Sequence, residues 1–143
     1  MSFEEKHWWT YAAIALVVPA IYFAIVLPQV AGTPVDEIEF QLALLTAAGA
    51  AVVLAIIANI VLHIASDIGS PKGATRKDQR DHDIHRLGEY VAGIVLAVAM
   101  VVPFILAMLE VDHFWIANAM YLAFVLSALA GSAVKLVIYR RGF

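Results

Sequence analysis

The sequence predicts an all-α membrane protein of four transmembrane helices. They pair as two hairpins with the N-terminus and C-terminus cytoplasmic, in one domain over residues 1–143. Three observations predict this. Apolar stretches run from Trp9 to Leu27, Leu42 to Ile64, Tyr90 to Leu109 and Phe114 to Ile138, each near or above the roughly 20 residues that a helix needs to cross the hydrocarbon core. The chain is 63% hydrophobic and 15% charged, whereas soluble domains are about 45–50% apolar and about 25% charged. No Lys or Arg stands between the first and second stretches, or between the third and fourth. All 9 bases lie before the first (Lys6), between the second and third (Lys72, Arg76, Lys77, Arg80, Arg86) or toward the end (Lys135, Arg140, Arg141). The positive-inside rule then puts both termini and the central connection on the cytoplasmic face of a multi-pass plasma-membrane protein.

Helices are expected over residues 9–27, 40–65, 76–109 and 113–139 of the chain. Ser2-Phe3-Glu4-Glu5 has the form of a capping box, so a helix begins ahead of the first span and runs into it. This span reads as an anchor and not as a cleaved signal: Glu4 and Glu5 sit beside Lys6, and Pro19 and Pro28 suit an anchor. Trp8, Trp9, Tyr11, Tyr90 and Tyr139 form an inner aromatic belt, with Phe40, Phe114 and Trp115 at the outer level. Pro19 and Pro103 should kink the first and third helices, because each removes a backbone donor. Thr33-Pro34-Val35-Asp36 reads as an N-cap with proline at the first helical position. A second helix starting there would protrude through its acidic stretch, Asp36 to Glu39.

Gly69-Ser70-Pro71-Lys72-Gly73 marks a cytoplasmic turn, and Thr75-Arg76-Lys77-Asp78 offers a new cap from which a helix continues into the third span. Glu110 to His113 leaves room only for a tight outer hairpin. Ala15 to Pro19 is echoed by Ala99 to Pro103, as a parallel repeat of two in–out–in halves would be. Cysteine is absent, which excludes disulfides and thiol-based redox chemistry. The acids Asp36, Glu37, Glu39, Glu110 and Asp112 fall on the expected outer side with no base among them. A divalent cation site joining Glu110, Asp112 and His113 to Asp36 and Glu37 competes there with the plainer reading that acidic outer loops accompany the insertion code. The inner bases suit anionic lipid headgroups. They are interleaved with Asp78, Asp81 and Asp83, so no nucleic-acid partner is implied.

The most distinctive polar segment is Asp78-Gln79-Arg80-Asp81-His82-Asp83-Ile84-His85-Arg86-Leu87-Gly88-Glu89-Tyr90. Its Asp78, Arg80, Asp81, Ile84 and Gly88 resemble the Asp-Glu-Arg-Asp-x-x-Ile-x-x-x-Gly pattern of a family of small prokaryotic membrane proteins, with Gln79 where that family usually has glutamate. The layout, through the ending Tyr139-Arg140-Arg141-Gly142-Phe143, looks like an actinobacterial-type branch of it. The resemblance implies a four-helix membrane protein and brings no reaction, ligand or cofactor with it.

Asp78, Asp81, His82 and His85 share one helical neighbourhood. Carboxylates and imidazoles at such spacing can hold a metal in a helical bundle, with His82 and His85 as the weak candidates. Local pairs (Asp78 with His82, Asp81 with His85, Lys77 with Asp81) are the competing account, each worth about a few tenths of a kcal/mol. Arg80 could clamp a neighbouring helix end. Asn59 and His63 are one turn apart near the inner end of the second span, and Glu89 sits at the inner mouth of the third. Polar groups at such depth are functional candidates, though Asn also serves as interhelical glue. Lys135 is close enough to the inner end to snorkel. Ser127 with Gly131, and Ala128 with Ser132, have the small-xxx-small spacing of close helix packing.

Nothing in the sequence converges on a nucleophile, a base or a cofactor, which points away from an enzyme. The preferred expectation is an integral membrane protein whose Asp78–Gly88 segment holds the bundle or docks a cytoplasmic protein partner. The alternative is a small transporter or channel, assembled as a homo-oligomer, for an ion or small solute.

Overall fold

The structure, a computed structural model, describes residues 3–69 and 79–141. Ser2 of the expected capping box, the turn at Ser70 to Gly73, the Thr75 cap and Asp78 lie outside the described residues. Within them every regular element is a helix and no strand occurs. Four segments are long and apolar enough to cross a membrane: Glu5–Ala31, Gln41–Ala65, Asp81–Met108 and His113–Arg141.

Helix α1 (Phe3–Val26) runs without interruption through Pro19 and gives way to a 3-10 turn, Leu27–Ala31, with Pro28 in its first turn. The second helix does not start at Thr33-Pro34. Val35–Glu37 is a single 3-10 turn, Ile38 is extended (φ −78, ψ 117), and α2 (Gln41–Gly69) begins only after Phe40. Packing explains the late start. Ile38 and Phe40 are both buried, at 4% and 2% exposure, against Tyr22, Val26 and Phe114. In a helix, residues two apart point to opposite sides, whereas in extended chain they share one face. Burying both in one core therefore requires extended backbone, and this outweighs the local cap.

The third span is divided into α3 (Gln79–Ala99) and α4 (Val101–Met108) at Met100. Pro103 has no N–H to give the carbonyl four residues back, while Met100 N still bonds Leu96 O at 2.9 Å and Phe104 N bonds Met100 O at 3.2 Å. At its end the chain turns sharply. Glu110 takes φ +53, its N–H bonds Ala107 O, and Val111 N bonds Leu106 O at 3.1 Å. These are the two bonds of a Schellman cap, with glutamate where glycine is usual. Asp112 then caps α5 (His113–Arg141) by accepting from Phe114 N at 2.8 Å.

Helix α5 is the centre of the molecule. Helices α3 and α4 pack along one side of it and α1 along another, while α2 rests mainly on α1. None of the apolar window of α2 is buried. The pairs Arg140–Glu5 and Tyr139–Asp81 bring the start of α1, the start of α3 and the end of α5 to one end, the terminal end. At the opposite, loop end lies the apolar core of Tyr22, Val26, Ile38, Phe40 and Phe114.

Candidate functional site

Along α3, Asp81, Ile84 and Gly88 succeed one another at intervals of three and four, so they share one face. That face is turned onto α5. The Tyr139 hydroxyl donates to Asp81 Oδ1 at 2.8 Å. Ile84 is fully buried. A Cβ on Gly88 would collide with the Lys135 side chain, 2.5 Å from Cγ and 2.9 Å from Cδ. One turn further, a Cβ on Gly131 would lie 3.1 Å from Ala92 Cβ and 3.2 Å from Gly88 O, and Ser127 Oγ donates to Ala92 O at 2.8 Å. The small residues of α5 thus let α3 approach closely, and glycine at position 88 leaves room for the stem of a lysine. Asp78 and the Arg80 side chain lie outside the described residues.

Lys135 does not snorkel. Its side chain is 2% exposed, its Nζ donates to Glu89 Oε1 at 2.6 Å, and the ammonium sits 3.7 Å from the centroid of the Trp8 ring. Trp8 in turn stacks on His85, centroids 5.8 Å apart. One lysine therefore ties α5 to α3 through a charge-assisted hydrogen bond and to α1 through a cation–π contact. A charge removed from water needs such partners. Asp81 and His85, expected as a local pair, turn instead to Tyr139 and Trp8 on other helices.

Beside this clasp lies a half-open cavity of about 620 Å³ at the terminal end, bounded by all four spans. From α2 come Asn59 and His63, and from α1 His7, Trp8 and Tyr11. Asp81, His82, His85 and Glu89 line it from α3, and Ser127, Ser132, Lys135 and Tyr139 from α5. Phe124 and Ala128 form part of its apolar wall. The sequence candidates Asn59, His63 and Glu89, on two separate helices, are thereby brought to one space with Asp81, His82 and His85, whereas Ile84 and Gly88 belong to the packed α3–α5 seam. Among the described residues no hydrogen bond joins Asn59 to another helix.

Among the described residues, no three His, Asp or Glu side chains gather as a metal site. His82 and His85 stand as cavity-lining imidazoles, and at the loop end Asp112 is engaged as the cap of α5. Sequence reasoning missed Lys135, Tyr139, Trp8, Tyr11 and His7 as parts of the site. A signal for the first two was present: Asn118, Tyr121, Val125, Ala128, Ser132, Lys135 and Tyr139 recur at alternating intervals of three and four along α5. Such spacing marks one continuous face of α5; its loop-end members Asn118 and Tyr121 meet Tyr22 of α1, and its terminal-end members Lys135 and Tyr139 meet Glu89 and Asp81 of α3.

No protein-family model, curated protein or solved structure matches the chain.

Proposed function

We propose that the protein resides in the plasma membrane with both termini and the segment between α2 and α3 in the cytoplasm, and that it binds and carries a small polar solute through its cavity. The orientation rests on charge. The bases lie in the first turns of α1, between α2 and α3, in the first turns of α3 and near the end of α5, while the loop end carries Asp36, Glu37, Glu39, Glu110 and Asp112 without a base. The observation that carries the solute reading is that polar side chains from four apolar spans meet in one cavity while the opposite end is packed shut by Tyr22, Val26, Ile38, Phe40 and Phe114. Its volume falls within the roughly 300–1,000 Å³ typical of small-molecule sites. Ionisable groups at membrane depth tend to mark solute pathways. A polar cavity toward one end and an apolar core at the other is the arrangement a cytoplasm-facing carrier state would have. Helix α2, resting mainly on α1, is the wall with least to break if the cavity opens or closes.

Within this reading the Asp81–Gly88 segment is the part that holds the bundle. Its Asp81, Ile84 and Gly88 face α5, so a docked cytoplasmic partner would meet the exposed Asp83 and Arg86 on the other side of the helix.

The absence of cysteine allows a direct test. A single cysteine at Asn59→Cys should react with a membrane-impermeant maleimide in inside-out vesicles and not in right-side-out ones. Ile60→Cys, exposed but off the cavity, should stay unlabelled in both. Failure of Asn59→Cys to label from either side, or labelling only from outside, overturns the reading.

A further inference from the structure

We infer that the solute taken by this cavity is a monovalent organic cation; the inference rests on the cavity being a solute site. The charges that a solute can reach decide its class. The lining holds one fixed positive group, Lys135, and two carboxylates, Glu89 and Asp81. Lys135 is sealed: 2% of its side chain is exposed, with the Trp8 ring over its ammonium and Gly88 against its stem. Glu89 gives only Oε1 to Lys135 and keeps 61% of its side-chain surface open. Asp81 accepts from Tyr139 through Oδ1 and is half-buried. A solute entering the cavity therefore meets negative charge first, although the lining contains both signs.

The walls fit the same class. Trp8 is held by Lys135 and His85, Tyr11 packs on His7 and Trp8, and Tyr139 donates to Asp81; with Phe124 these rings make the lining strongly aromatic. Aromatic faces beside a carboxylate recognise alkylated or arylated ammonium-type ions, whose weak hydration makes them easy to bring out of water. The imidazoles of His7, His63, His82 and His85 complete the polar lining. An anion would need Lys135, which it reaches only by displacing Glu89.

The test is a titration of the detergent-solubilised protein by calorimetry. The probes are tetraphenylphosphonium and tetraphenylborate, ions of the same shape and opposite charge. The phosphonium should bind, and should protect Asn59→Cys from the maleimide; the borate should do neither. Glu89→Gln should weaken phosphonium binding about 10-fold and Asp81→Asn, which keeps an acceptor for Tyr139, about 3-fold, as loss of a nearby unit charge predicts. If Glu89→Gln does not yield a monodisperse protein, Asp81→Asn decides. Equal or tighter borate binding, no phosphonium binding, or phosphonium binding unchanged in these variants overturns the cation assignment. In those cases Asn59→Cys labelling by the maleimide alone still tells whether the cavity reading stands, and absence of that labelling removes both.

Discussion

The two ends of α5 each bury a polar residue, and the two solve the problem differently. At the loop end Asn118 is 7% exposed, accepts from the Tyr22 hydroxyl at 2.8 Å and donates to Phe114 O at 2.8 Å. Its amide is answered by a tyrosine hydroxyl and a backbone carbonyl, beside the buried apolar cluster to which Tyr22 and Phe114 belong. At the terminal end Lys135 is 2% exposed, but its partner Glu89 is open to the cavity. A neutral amide can be satisfied inside a dry core by groups that are themselves neutral. An ammonium needs a counter-charge, and the carboxylate that supplies it is costly to desolvate in its turn. The charge therefore keeps one side of its partner wet, and the cavity lies where the charge is.

The two ends differ most in their dependence on charge, and that dependence rests on Glu89. Removing its charge leaves Lys135 buried without an anion, so Glu89→Gln should lower stability by about 2–3 kcal/mol, somewhat under the range for a fully buried pair because Glu89 is exposed. Lys135→Met, of similar length and apolar, should cost under about 1.5 kcal/mol, as volume-conserving swaps do. Thermal unfolding in detergent checks both. Equal losses would mean that the clasp is not held by charge.

A smaller effect sharpens the steric half of the clasp. Gly88→Ala puts a methyl group into the space held by the Lys135 stem, and that stem cannot swing aside while Glu89 and Trp8 hold its end. The expected loss is about 1–3 kcal/mol, the usual cost of overpacking. Gly49→Ala, with nothing within 4 Å of its added Cβ, should be neutral or slightly stabilising through helix propensity. The same melts would show whether position 88 differs from any other helical glycine.

The smallest effect belongs to the loop end. Tyr22→Phe removes one neutral hydrogen bond to Asn118 and should cost about 0.5–1.5 kcal/mol. It should leave maleimide labelling of Asn59→Cys untouched, because the loop end does not line the cavity. A change in that labelling would show that the two ends are coupled.

Much of this was legible along the chain. Asn59, His63 and Glu89 stand out as polar residues in apolar surroundings, and Asp81, Ile84 and Gly88 stand out by spacing. Their roles were less legible. The spacing of Asp81, Ile84 and Gly88 says that they share a face, but a face looks the same in sequence whether it meets solvent, a partner or α5. Lys135 was misread for a related reason: near a helix end a lysine has two ways to be satisfied, and the choice depends on a carboxylate 46 residues away. The start of α2 followed the same pattern, with a good local cap at Thr33-Pro34 overruled by the burial of Ile38 and Phe40 against other helices.

By itself, then, the sequence determined the number of apolar helices, their approximate limits and the segregation of bases to one end. Each depends on composition within a window of about 20 residues and on the free energy of moving that window out of water. Only the tertiary structure decided that α5 is the central helix, that Lys135 is sealed between Glu89 and Trp8, and that polar groups from all four spans share one cavity. Those outcomes depend on which helix faces meet, and contacts between segments far apart in the chain select the meeting faces, which no local pattern encodes.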